Sequence, residues 1–127
     1  MRKKIIIGLV AVFLMSLPCS AQETDFFTEN GFKKMLCTAY CVGEVTATGV
    51  PVHEGICANN KHVGDLAVMY LEDGTYLGTF ECCDTGGSEG MKKGVVIDVY
   101  RENYGRCVEW MELTRGKVYV QWIKGNG

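Results

Sequence analysis

Apolar residues in this chain come in short runs of strand length, not in long helical stripes. Residues 36–42 have the aromatic and β-branched content of a strand. Residues 55–58 predict a second, brief strand that ends at the turn pair Asn59-Asn60. A third is predicted over residues 65–71. Glu72-Asp73-Gly74-Thr75 then predicts a hairpin, because Asp-Gly tolerates positive φ, and a fourth strand follows over residues 76–84. Residues 95–100 predict a short, largely buried fifth strand, and residues 117–123 alternate cleanly as a sixth. Between those two, Tyr104, Val108, Trp110 and Met111 fall close to helical spacing, which predicts a short helix over residues 102–113 with Gly116 marking its end. Six short strands at this spacing, with one or two small helices, predict a mainly β, closed small barrel and not a sandwich.

The first thirty-five residues change the domain arithmetic. Arg2, Lys3 and Lys4 precede an apolar run from Ile5 to Leu17, and Cys19-Ser20-Ala21 offers small residues for cleavage. Residues 1–21 therefore read as a secretory signal peptide, with the chain exported to the outside or the cell envelope. An anchor through a lipidated Cys19 is the alternative, disfavoured by Leu17 and Pro18 in front of it. The apolar run is too short for stable membrane insertion. Residues 22–35, with Phe26, Phe27 and Phe32, predict an N-terminal arm or short helix, and residues 36–127 one barrel domain. Loss of the leader removes three basic residues and no acids. Ten basic residues are left against fifteen acidic ones, which moves the net charge from −2 to −5. That balance argues against nucleic acid and anionic membrane surfaces as partners.

Six cysteines remain after cleavage: Cys37, Cys41, Cys57, Cys82, Cys83 and Cys107. An even number in a small exported domain predicts a disulfide framework, with the pairing left open. Cys82 and Cys83 are adjacent in a strand and point to opposite faces, so each is expected to reach a different partner. A zinc site with His53 or His62 and a nucleophilic cysteine are the rival readings; neither histidine sits at a ligand spacing from a cysteine pair, so no metal or cofactor is expected.

The chemistry concentrates at residues 81–100. Asp is depleted from strands, yet Asp98 interrupts the apolar run Val95-Val96-Ile97 and Val99-Tyr100, and departures from local rules cluster at functional sites. Asp84 opens the Gly/Ser/Lys-rich loop that leads to it. The bland alternative makes Asp98 an exposed strand end and Asp84 a turn cap. Glu54, Glu81 and Asp65 read as solvated carboxylates, Trp110 and Trp122 as core, and His53 and His62 as loop residues.

Thr38-Ala39-Tyr40, Thr46-Ala47-Thr48-Gly49, Gly55-Ile56-Cys57-Ala58-Asn59, Val63-Gly64, Asp84-Thr85-Gly86-Gly87 and Ile97-Asp98-Val99-Tyr100 occur in one order. That order resembles the three-aspartate (3D) domain of bacterial cell-wall proteins. The family is a double-psi β-barrel, found in MltA-type lytic transglycosylases and stationary-phase survival proteins. The resemblance covers about residues 36–124. Asn59 stands where the family has its first aspartate, and the loop between the other two is longer than usual.

The resemblance implies a secreted, monomeric enzyme that cleaves glycosidic bonds between the amino sugars of peptidoglycan strands, without metal or cofactor. Asp98 would be the acid and then the base, and Asp84 its electrostatic partner. Asn59, Thr46, Thr48, Thr85, Gly86 and Gly87 would line the substrate groove. Competing readings are a non-catalytic glycan-binding module on the same barrel and a disulfide-hardened secreted accessory protein.

Overall fold

A computed structural model describes residues 27–125, so the leader and the start of the arm, residues 22–26, lie outside the described residues. Residues 27–31 form a unit of their own, a helical turn closed by Asn30 N–H to Phe27 O at 3.2 Å. The rest, from Phe32 on, is a closed six-stranded barrel with two short helices. The strands are β1 (Lys33–Tyr40), β2 (Ile56–Ala58), β3 (Leu66–Tyr70), β4 (Tyr76–Asp84), β5 (Val96–Tyr100) and β6 (Lys117–Ile123). The helices are α1 (Glu89–Lys93) and α2 (Tyr104–Thr114). No described helix is long and apolar enough to cross a membrane.

Around the barrel the order is β1-β5-β2-β4-β3-β6. The pairs β1–β5 and β2–β4 are parallel, and the four other pairs are antiparallel. Closure follows from the alternation in the sequence. Met35 and Cys37 of β1, Ala67 and Met69 of β3, Ile97 and Val99 of β5, and Val118 and Val120 of β6 all turn inward and are buried. Each larger aliphatic side chain so buried contributes roughly 1.5–3 kcal/mol. The β3–β4 hairpin turns at Asp73-Gly74 as its residues predict: Gly74 has φ 93°, and Leu71 N–H bonds Thr75 O at 2.8 Å.

Three features differ from the sequence expectation. β1 starts at Lys33, inside the stretch read as an arm, because Lys33–Leu36 pair with Lys117–Val120 of β6. The loop after Asp84 contains α1, capped by the Ser88 hydroxyl on Met91 N–H (3.2 Å) and stopped by Gly94 at φ 80°. With five residues and an internal glycine, α1 has no apolar period to reveal it. The α2 helix is in place, but it faces inward through Cys107, Trp110 and Thr114, while Tyr104 is 76 % exposed. Trp110 donates its indole N–H to Cys37 Sγ at 3.0 Å and meets Phe80 edge-on, which fixes α2 to β1.

The cysteines take a different place from the framework expected of them. All six described cysteines are free thiols. Five are buried, and Cys37, Cys57 and Cys82 belong to the barrel core as small apolar side chains. Burial pushes the Cys37 thiol up to about 12, against the Trp110 hydrogen bond. Cys82 and Cys83 are both buried, but only Cys82 belongs to the core cluster.

Candidate functional site

A bulge in β4 places Asp84. Cys57 of β2 is in register with Cys82 of β4, but the next residue, Ala58, is in register with Asp84, so Cys83 is the extra residue. Without the extra residue Ala58 would face Cys83, and Asp84 would turn to the opposite side. Ala58 is also in register with Asp98 of β5, and Asp98 with Thr38 of β1. Asp84, Ala58, Asp98 and Thr38 therefore form one row across four strands. Side chains in such a row share a face, and here it is the outer one, since Ile97 and Val99 on either side of Asp98 point inward. Only Ala58 separates the two aspartates, whose strands lie two spacings apart, roughly 10 Å.

The two carboxyls are held differently. Asp84 receives three donors: Ala47 N–H at 3.0 Å and Thr85 N–H at 2.9 Å on Oδ1, and the Tyr40 hydroxyl at 3.0 Å on Oδ2. Asp98 receives one, from the Thr38 hydroxyl to Oδ1 at 2.9 Å, and no described residue donates to its Oδ2. Burial raises the Asp98 pKa above the usual carboxylate value; the Thr38 bond opposes that rise, and the negative charge of Asp84 adds to it. Tyr40 stands edge-on to Tyr100, with ring centroids 5.5 Å apart. Burial and the Asp84 carboxylate push its hydroxyl pKa up, so it remains a donor to Asp84. The row thus sets a carboxyl whose pKa is raised beside one held as a hydrogen-bond acceptor.

The residues expected to line a groove divide. Thr48, Thr85 and Gly87 are exposed near the row. Thr46 is buried, its hydroxyl bonded to Thr48 Oγ1 (3.1 Å) and accepting from Val50 N–H (3.2 Å), so it shapes the loop that presents Ala47 N–H. Gly86 exchanges two hydrogen bonds with the Asn60 side chain, both 2.9 Å. Asn59 corrects its assignment. It is fully buried, donating to Gly94 O (3.1 Å) and Val96 O (2.9 Å) and accepting from Lys61 N–H (2.9 Å). It is a loop clasp, closed to any ligand. A carboxylate could not make its two donations, which gives a physical reason for an amide at this position.

Asp65, read as solvated, is also buried; it bonds His62 Nδ1 (3.1 Å) and Gly125 N–H (3.1 Å). Glu54 pairs with Arg101 at 3.4 Å. Trp110 is core, as expected, and the half-buried Trp122 packs against that core while stacking on His62 at 3.9 Å. Sequence reasoning gave no role in the site to Thr38, Tyr40 or Asn60. The spacing of Thr38 and Tyr40, two apart on the outward side of a strand beside Asp98, was the available signal. Among the described residues no group of three or more His, Cys, Asp or Glu is placed to hold a metal ion. No family model, no curated protein and no solved structure matches the chain.

Proposed function

We propose that the chain is a 3D-type, double-psi barrel exported to the cell envelope, where as a monomer it cleaves the bond between N-acetylmuramic acid and N-acetylglucosamine in peptidoglycan. The observation that carries this reading is the row in which Asp98, with a raised pKa and a free Oδ2, stands one small residue from Asp84. The mixed pairing of the six-stranded barrel, two parallel and four antiparallel, supports the double-psi assignment.

Asp98 delivers its proton to the glycosidic oxygen as the bond to the sugar carbon breaks. The positive charge that develops on the sugar is stabilised by Asp84, which its three donors hold in position. The sugar's own 6-hydroxyl then attacks the cationic carbon, and its proton returns to Asp98. The product is an anhydro end, and no water or cofactor is consumed.

Digestion of purified cell walls by the wild type and by Asp98→Asn tests this. Anhydro-muropeptides released by the wild type alone support it; equal background release overturns it. Retention on the walls without release, unchanged in Asp98→Asn, would instead mark a glycan-binding module.

Disulfide linkage belongs to the same proposal. Cys41 and Cys107 influence each other's ionisation, as do Cys57 and its in-register neighbour Cys82. Outside the cell these would be the pairs to join, each losing two thiol protons and two electrons to a disulfide oxidant such as oxidised glutathione. Cys37, engaged by Trp110, stays reduced.

A further inference from the structure

One mouth of the barrel is chemically unlike its outer face. A cavity of about 340 Å³ opens there, with Lys33 of β1, Lys61 and His62 of the loop after β2, Lys93 and Val95 around the end of α1, and Trp122 of β6 in its walls. Lys33 is in register with the inward-facing Val120, so its side chain turns to the inner side of the barrel, at its rim. The neighbouring Lys34 also borders the cavity, from the outer side of the same rim. Four lysines from three separate segments therefore border one opening of a chain whose net charge is −2. None of the four is ion-paired among the described residues.

The opening is built, not a chance of mobile surface lysines. The Asn59 clasp ties Lys61 N–H to the Gly94 and Val96 carbonyls, and so fixes the two lysine-bearing loops to each other. They approach closely enough that a Cβ on Gly94 would lie 2.6 Å from Lys61 Cγ. His62 is held by Asp65 and lies flat on Trp122, with 3° between the rings. The Trp122 indole N–H is buried and has no acceptor among the described residues.

We propose that this mouth binds a multiply charged phosphate ligand. Ammonium groups are compact point charges with three donors each. They suit oxygens spread around phosphorus, whereas the planar fork that matches a carboxylate is arginine's, and no described arginine lines the cavity. Closed barrels hold small ligands at their mouths. At roughly 30 Å³ per water the space equals about eleven waters, enough for two linked phosphates with part of an attached body against Trp122 and Val95. The site is separate from the carboxylate row and does not rest on the function proposed for it.

Fluorescence titration with pyrophosphate tests the proposal, since Trp122 is in the wall and Trp110 is in the core. Calorimetry gives an independent readout, and Trp122→Phe identifies the source of the optical signal. A saturable change is expected with pyrophosphate and not with sodium chloride at equal ionic strength. The Lys61→Gln/Lys93→Gln double variant changes two exposed residues, and its folding is checked by thermal melting. It should bind roughly tenfold more weakly or worse. A poly(glycerol phosphate) chain that binds more tightly than pyrophosphate supports the phosphate class and assigns a polymer source; weaker binding supports a free phosphate ligand. No saturable heat or signal, equal binding by the double variant, or citrate binding as tightly as pyrophosphate would each overturn the proposal.

Discussion

The outer row and the basic mouth lie on the same barrel, yet the sequence builds them by opposite means. The row is written into strands: Thr38, Ala58, Asp84 and Asp98 meet because four strands pair in register and one bulge adjusts the count. The mouth is written into loops, and a single buried amide, Asn59, holds two of them together. A site on strands is positioned by the ladder itself and tolerates changes of side chain. A site on loops depends on the clasp. Substitutions should therefore damage chemistry without fold in the row, and architecture before chemistry in the mouth.

The largest effect expected is on the row. Asp98→Asn should lower anhydro-muropeptide release by roughly 10²–10⁴-fold, the usual cost of removing a general acid. The fold should survive, and even gain. A carboxyl whose folded pKa is raised stabilises the protein fully below its unfolded pKa and loses that contribution as pH rises through the folded value. An amide in its place cannot ionise, so the variant should melt higher than the wild type at pH 8, with the gap closing at pH 4. A lower melting temperature for Asp98→Asn at pH 8 would break the comparison at its first step.

The mouth should respond in the reverse sense. Asn59→Asp, which introduces the residue type of the resembled motif, should not raise activity above that of the wild type. It leaves two buried carbonyls without donors and places a carboxylate where the side chain is fully enclosed. At about 1–3 kcal/mol for each lost partner, urea unfolding should show a loss of roughly 2–6 kcal/mol. Gly94→Ala sharpens the point at lower cost. It forces a side chain into positive φ, worth about 1 kcal/mol, and displaces Lys61, so it should weaken pyrophosphate binding and leave the Asp98 titration unmoved.

The same contrast sets what could be read from the residues. Six strands were legible from short apolar, aromatic and β-branched runs bounded by turn residues, and Asp98 stood out because a carboxylate interrupts such a run. The bulge at Cys83 was not, since nothing in Glu81-Cys82-Cys83-Asp84 announces an extra residue; only the demand of β2 for register reveals it. Asn59 was misplaced because its place in the resembled motif suggested a groove, while its burial comes from carbonyls thirty-five and thirty-seven residues away. Nothing in the sequence around Lys33, Lys61 or Lys93 sets them apart from other lysines. Their meeting is a property of barrel closure, and no local pattern carries it.

The finest test separates the two influences that act on Asp98 within the row. Thr38 donates to Asp98 Oδ1 and lowers its pKa, whereas the charge of Asp84 raises it. Thr38→Val removes the donor at nearly constant volume, so the carboxyl should hold its proton to higher pH. Asp84→Asn removes the charge and should move the titration to lower pH. Carbon NMR of the Asp98 carboxyl reads both without any need for turnover, and the alkaline limb of wall digestion by Thr38→Val should shift in the same direction as its titration. Opposite signs from the two variants require the aspartates to sense each other across Ala58. If Asp84→Asn leaves the titration where it was, the pair is a coincidence of register and the row has no shared chemistry.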